Sequence, residues 1–309
     1  AGEGQIWFNT TSGDFKTIVK VAGAWSSGGA VNTGRAEGGS SRSGTSTAAL
    51  IFAGNSGTAN VAIAESYDGS SWTEVGDVNT ARSGCIGIGT STAALLISGV
   101  PSKTEVEEWD GSSWTEIADV NTFRDIANGA GSTTAGLFFG GAVPSVSALA
   151  ESWDGSSWTE VGDLNAARKS LAGAGTSTGA LAYTGNTGSY VTNVESYDGS
   201  SWTETADVNT AREKKCGGMG HTNTAALLSG GYNPDGYKAT NEYWDGSSWT
   251  EVGDLNTAVT NSFDVGSTVS GLVAAGNTSP GIATATEEWD WTSTLKAGAW
   301  ASGGNMNAP

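Results

Sequence analysis

Apolar residues fall in short runs, each closed by a glycine: ALIFAG (49–54), ALLISG (94–99), GLFFGG (136–141), ALAYTG (180–185), ALLSGG (226–231) and GLVAAG (271–276). The closing glycines are 45, 42, 44, 46 and 45 residues apart. A short glycine-rich piece precedes each run, such as GCIGIG at 84–89. A weakly alternating segment ending in an aromatic follows it, such as NVAIAESY at 60–67, and then a polar piece such as SWTEV. All four pieces have strand length. Long runs with a 3.6-residue period are missing, and glycine would penalise a helix interior. The pattern predicts six units of four strands each.

The junction of the last two strands repeats almost word for word. YDGSSWTEVGDVNTAR (67–82) returns at 109–124, 153–168, 197–212 and 244–259. Asp-Gly between two strands signals a tight turn, because glycine accepts positive φ and the Asp side chain bonds to nearby backbone. The aspartates are Asp68, Asp110, Asp154, Asp198 and Asp245. The aromatic before the turn is Tyr67, Trp109, Trp153, Tyr197, Trp244 or Trp289, and the tryptophan after it is Trp72, Trp114, Trp158, Trp202 or Trp249. An arginine closes the phrase at Arg82, Arg124, Arg168 and Arg212, with Arg35 in the same place before the first unit. Two departures stand out: Val259 replaces the arginine, and WDWTSTLK (289–296) has no Asp-Gly turn.

Four short strands per unit of about 44 residues predict an all-β fold, a kelch-like β-propeller of six four-stranded blades, with seven blades as the alternative. A lone four-stranded sheet cannot bury both faces, whereas blades stacked radially can. Small residues suit the crowded axis, aliphatic ones the strands between blades, and the outer strand turns Trp inward and Thr or Glu outward. Residues 1–24 read as an N-terminal strand segment that closes the ring or forms a junction, 25–300 as the propeller, and 301–309 as the start of a further segment or a truncated end.

Charge narrows the partners. Thirty-two Asp and Glu against fourteen Lys and Arg leave a net charge of −18. A phosphate backbone would be repelled, so nucleic acid is not an expected partner. No apolar run reaches the roughly 20 residues of a membrane helix, and no membrane insertion is expected. Cys85 and Cys216 lie in different units, outside any CxxC pair.

Candidate chemistry is thin. His221 is the one histidine, placed in a turn, GHTNT, with no nucleophile elbow beside it. A glutamate stands two residues before the aromatic in every unit: Glu65, Glu107, Glu151, Glu195, Glu242 and Glu287. Paired-carboxylate glycosidase chemistry needs one asymmetric pair, so a sixfold glutamate reads as a fold feature. The repeated arginines, with five donors each, read as bonding carbonyls or the aspartates of adjacent turns. The short D-G-S-S turns do not match a twelve-residue calcium loop. The expectation is no enzyme, no catalytic residue, no metal and no cofactor.

The glycine pair ending the second strand, the Tyr-Asp or Trp-Asp turn, the following tryptophan and the closing arginine resemble the kelch repeat family over residues 22–300. The opening GQIWFNTTSGDFKTI, the segment GAWSSGG and the closing GAWASGGNMN resemble bacteriophage tail-fibre and other virion proteins. That resemblance implies a structural or host-binding virion component, extracellular, in contact with other virion proteins or with host glycan or protein, and able to form homo-oligomers in an appendage. The alternative is a secreted bacterial carbohydrate-binding propeller, and a less favoured one a glycan-active hydrolase.

Binding would be written where the repeats disagree, in the loops after the second strand. The fifth, GYNPDGYKATN (231–241), is the longest. Tyr232, Asn233, Asp235 and Tyr237 there, with Tyr190 in the fourth loop, form the candidate ligand rim. Tyrosines beside Asn and Asp suit stacking on sugars or gripping a protein edge.

Overall fold

The computed structural model describes residues 6–9, 14–17, 23–214 and 217–291. These residues form a six-bladed β-propeller, each blade a four-stranded antiparallel sheet. Blade 1 runs outward through Gly39–Ser40, Ala49–Phe52, Ala64–Tyr67 and Trp72–Val75. Blades 2 to 5 follow the same order. In blade 6, Phe263–Gly266, Ser270–Ala274 and Thr286–Asp290 are completed by Ala24–Gly28, which pairs as the outer strand with Trp25 opposite Trp289. This explains the missing Asp-Gly turn after Trp289: the partner strand arrives from the other end of the chain. A separate hairpin pairs Ile6–Asn9 with Asp14–Thr17. The closing GAWASGGNMN lies outside the described residues.

The core is six wedges, one in each seam between blades. Ile86, Ile88, Leu95 and Ile97 of blade 2 meet Phe138, Trp153 and Trp158 of blade 3 in one such cluster. The two aromatics flanking a turn pack against each other, with centroids 5.3 Å apart for Trp153 and Trp158, and Trp25 and Trp289 pack likewise at 5.2 Å although no turn joins their strands. Toward the axis the inner strands touch through backbone. A Cβ on Gly87 would lie 2.3 Å from the Ser40 amide nitrogen of blade 1. Cys85 is packed in a seam, where burial pushes its thiol up to about 12.

The landmark glycine closing each apolar run also has a cause. The chain turns there through two successive left-handed residues, for example Ala53 (φ 57°) then Gly54 (φ 107°), and Thr184 (φ 58°) then Gly185 (φ 110°). The first angle is the αL region that an L-residue reaches at a cost of about 1–2 kcal/mol, and the second belongs to glycine. Hence the first position varies among Gly, Ala, Ser and Thr while the second does not.

The glutamate and the arginine of each unit belong together. Glu65, Glu107, Glu151, Glu195 and Glu242 form buried ion pairs with Arg35, Arg82, Arg124, Arg168 and Arg212 in turn. The Arg168–Glu195 pair is 2.6 Å long. The other carboxylate oxygen accepts two bonds from one asparagine of the crossing segment, as from Asn165 N at 2.6 Å and Asn165 Nδ2 at 2.8 Å. That asparagine also donates to the Trp202 carbonyl. Glutamate, arginine and asparagine thus clasp each outer strand to the next blade. The arginines reach carbonyls as expected, as Arg168 does at Asn193 O, but their carboxylates are the glutamates and not the turn aspartates. Asp154 is instead consumed within its own turn, accepting from the amides of Ser156 and Ser157 at 2.8 Å.

Candidate functional site

Antiparallel order sends the D-G-S-S turns to one face of the ring. The crossings between blades and the loops after each second strand go to the other. The first face is nearly six times the same. The second carries most of the loop variety, and the candidate site is built there.

Its centre is a belt of backbone bonds. Gly84 N donates to Glu37 O (2.7 Å), Ile126 N to Gly84 O (2.9 Å), Ser170 N to Ile126 O (2.8 Å) and Lys214 N to Ser170 O (2.8 Å), while Glu37 N donates to Asn261 O (3.0 Å). Each link joins neighbouring blades around the axis. Glu37, Ile126, Ser170 and Asn261 are left-handed there, at φ between 44° and 61°. Such strain persists where the surroundings enforce it, and here the belt does so.

Beneath the belt the sixfold pattern breaks. The inner part of blade 1 holds two extra residues relative to blade 2, since Arg35 stands 19 residues before Gly54 and Arg82 only 17 before Gly99. The excess falls at Arg42, whose guanidinium crosses the axis to Asn128 Oδ1 of blade 3 and the Gly173 carbonyl of blade 4. From blade 5, the buried Lys214 pairs with Asp264 of blade 6 at 3.0 Å and also donates to Ser229 O and to Ser262 Oγ. Asp264 accepts further from Gly218 N (2.9 Å) and Ser262 Oγ (2.9 Å). Burial lowers the pKa of Lys214, and Asp264 opposes that shift. His221 is not in a turn. It lies on the inner strand Met219–Thr222, at the register break opposite Ala225 and Leu227. Burial lowers its pKa, and backbone groups of Arg42 and Gly44 act against that.

The fifth variable segment is not a loop either. Ala225–Asn233 and Gly236–Trp244 continue past the blade as a hairpin, with Tyr232 opposite Tyr237 and Asn233 opposite Gly236. The sequence signal was there: N-P-D-G is a tight turn between two stretches of alternating residues. The hairpin stands Tyr232 edge-on to Tyr237 (5.5 Å) and Tyr190 of blade 4 edge-on to Tyr232 (6.2 Å). Burial and the charge of Glu213 raise the Tyr190 pKa. Asn233 turns inward, is buried, and holds the hairpin by bonding Asp235 N (3.0 Å) and Ala211 O (3.3 Å). Asp235 stays at the exposed tip, 3.7 Å from Lys238. Of the five rim candidates, three tyrosines therefore make one cluster, Asn233 supports it and Asp235 flanks it.

Next to the cluster is a cavity of about 290 Å³, between the loops of blades 6 and 1. Tyr237 forms one wall, with Glu37, Asn55, Asn277, Pro280 and Ile282 among the others. Its walls come from the loops after the second strands of blades 6 and 1, the kind of loop in which the sequence places binding, but the repeat pattern does not say which of these loops enclose a cavity.

No family model matches the chain. No curated protein matches it either. Among solved structures it is similar to the bacterial protein YjhT, with 13% identity and a TM-score of 0.68, over 83% of this chain and 95% of that one. At that identity the likeness concerns the fold, a six-bladed β-propeller. It overturns the reading of the chain as a bacteriophage tail-fibre or virion component, together with the virion partners and virion location. The physical reason is visible in the clasps: the D-G-S-S-W-T phrase is spelled by blade geometry, so it accompanies the joint and not a particle. The exclusion of enzymatic activity is corrected with it. That exclusion rested on the sixfold recurrence of the glutamates and on a lone histidine read as a turn residue, whereas the axis, with Arg42, Lys214 and Asp264, is not sixfold and His221 is on an inner strand. What stands is the propeller itself, similar in fold to a bacterial protein.

Proposed function

We propose that the chain is a carbohydrate-binding propeller module that holds glycan on the face of its variable loops. One observation carries this reading: Tyr190, Tyr232 and Tyr237 form a cluster beside a cavity of mixed polar and apolar walls, on the face where the blades differ. Aromatic rings offer flat apolar area for the C–H faces of sugars, and their hydroxyls and the nearby amides suit sugar hydroxyls. A hairpin of two nine-residue strands supports two of the rings, so little ordering is required on binding. The shared fold with YjhT is compatible with a free-standing module and adds no ligand.

The test is a glycan array followed by titration calorimetry, comparing the natural chain with a Tyr232→Ala, Tyr237→Ala double variant. Loss of the two rings should weaken binding by roughly tenfold or more, since each aromatic contact contributes about 0.5–1.5 kcal/mol beyond its area. Unchanged affinity in a folded double variant would sink the proposal.

A further inference from the structure

We infer that the backbone isomerises spontaneously at Asp235–Gly236, through a succinimide, and that the isoaspartyl link formed there displaces Tyr237 from the tyrosine cluster. The chain holds six Asp-Gly pairs: this one and the five of the D-G-S-S turns, from Asp68–Gly69 to Asp245–Gly246. Asp-Gly is open to this reaction because glycine has no Cβ to hinder its own amide nitrogen and leaves the backbone free to turn. The fold guards five of the pairs and leaves the sixth unguarded.

In the five, the turn ties the carboxylate down. Oδ1 of Asp68 accepts from the amides of Ser70 and Ser71 and from Ser70 Oγ, each at 2.8 Å. The other four turns repeat these bonds. A carboxylate tied forward to the amides two and three residues on is held away from the nitrogen of the next residue. It is also kept ionised, down to about 2, whereas the group that nitrogen attacks is the protonated acid. At mildly acidic pH that leaves nearly a hundredfold less acid than an aspartate at the ordinary value near 3.9. The glycines are boxed in as well. A Cβ on Gly69 would lie 3.1 Å from Thr47, and one on Gly246 would lie 3.2 Å from the Thr224 carbonyl. The single Asn-Gly pair, Asn128–Gly129, is shut in the axis with its Nδ2 bonded to the carbonyls of Leu171 and Gly217.

Asp235 has none of these restraints. In its N-P-D-G turn the tying side chain is that of Asn233, which accepts from the Asp235 amide at 3.0 Å and leaves the Asp235 carboxylate outside the turn. That carboxylate is 82% exposed, and its contact is Lys238 Nζ at 3.7 Å, a surface pair that restrains little. Nothing lies within 4 Å of a Cβ placed on Gly236.

The reaction needs only water. The Gly236 nitrogen gives its proton to solvent and its electron pair closes on Asp235 Cγ; the Cγ–OH bond breaks and water leaves. Water then opens the ring. Attack at Cγ restores aspartate. Attack at the main-chain carbonyl breaks its bond to the Gly236 nitrogen and leaves the chain running through Cβ and Cγ. Composition is unchanged, and the backbone is one carbon longer. Only Pro234 and Asp235 join Asn233 to Gly236, so the extra carbon breaks that pairing and, next to it, the register of Tyr232 opposite Tyr237.

The experiment holds the whole chain folded in warm, mildly acidic buffer, with a second portion in denaturant, and samples both over weeks. Isoaspartate is located by peptide mapping and by methylation with protein isoaspartyl methyltransferase. In the folded chain Asp235 should convert at least about tenfold faster than any of the other five, in line with their lower share of protonated acid. In denaturant all six should convert at comparable rates. Asp235→Glu should remove the fast site and leave the others unchanged. Comparable rates at all six in the folded chain, or no conversion at Asp235 there, would overturn the inference. The isomerised chain, separated by chromatography and labelled at its tyrosines, should lack the nuclear Overhauser contact between Tyr232 and Tyr237 that the fresh chain shows. A retained contact would overturn the displacement of Tyr237.

Discussion

Five seams of the ring and the sixth solve the same problem with different parts. In the fourth blade Glu195 is neutralised by Arg168 at 2.6 Å, and the backbone amide of Ala166 stays at a distant 3.4 Å from the same oxygen. At the seam between blades 5 and 6 Val259 stands where the arginine would be. There the Thr257 amide draws in to 2.9 Å from Glu287 Oε1, while Asn256 keeps its two bonds to Oε2 at 2.7 and 2.8 Å. Glu287 is also 7% exposed, against 0–2% for the other five glutamates. A cavity of about 20 Å³ remains beside Val259, enough for about one water. The difference teaches that the asparagine half of the clasp is the constant part. The guanidinium is one way to satisfy the remaining oxygen, and a closer amide with partial solvation is another.

The arginine seams differ among themselves as well. Arg124 keeps a longer 3.2 Å pair with Glu151 and lies 4.3 Å from the centre of the Phe138 ring. Burial brings its pKa down to about 10, with Glu151 opposing the shift.

The largest effects should come from breaking a full clasp. Arg168→Ala leaves Glu195 buried without its partner and should cost about 3–5 kcal/mol in denaturant unfolding; a loss below about 1 kcal/mol would show that water reaches the seam. Trp158→Ala removes a buried ring that packs on Trp153 and should also cost about 3–5 kcal/mol. The seam between blades 5 and 6 should respond less. Glu287→Gln strands no buried cation and should cost no more than about 1.5 kcal/mol, whereas Glu195→Gln leaves Arg168 unpaired and should cost several times as much. Equal losses at the two positions would refute the distinction between the seams. Val259→Arg should be tolerated within about 1 kcal/mol, and a crystal structure of that variant should show the guanidinium at Glu287.

The smallest effects belong to the turns. Their serine hydroxyls and amides hold Asp68, Asp110, Asp154, Asp198 and Asp245 down to about 2. A depressed carboxylate stabilises above its unfolded value near 3.9 and loses that contribution as pH falls through the folded value. Carboxyl NMR should therefore show five aspartates titrating together near pH 2. Because these groups are fully exposed, Asp154→Ala should move the unfolding midpoint far less than Arg168→Ala.

What could be read from the sequence was whatever the blades repeat. Strand count, the Asp-Gly turns and the inward tryptophans follow from local spacing, which six copies make unmistakable. The pairing of Glu195 with Arg168 did not follow, because the two lie in different strands and only the seam brings them together. The conserved spacing of the asparagine, seven residues after each outer-strand tryptophan, was visible, but its two bonds to glutamate were not. The candidate site was half legible. Tyr190, Tyr232 and Tyr237 stood out because they occur where copies disagree. The inward turn of Asn233 depends on a hairpin that a loop reading obscures. The cavity was hidden because its walls come together from loops of blades 6 and 1, far apart in sequence.

The outer strand of the last blade also sets an order of events. Ala24–Gly28 emerges from the ribosome before any blade exists, and its partner Thr286–Asp290 emerges after five blades can already be complete. Until then the seam between Trp72 and Phe263 has one wall only. Closure is therefore the step with the longest reach in sequence, and such contacts are slow to form because chain entropy must be lost before they reward it. A circular permutant that starts between blades 1 and 2 would make blade 6 from contiguous chain and move this late step to another seam.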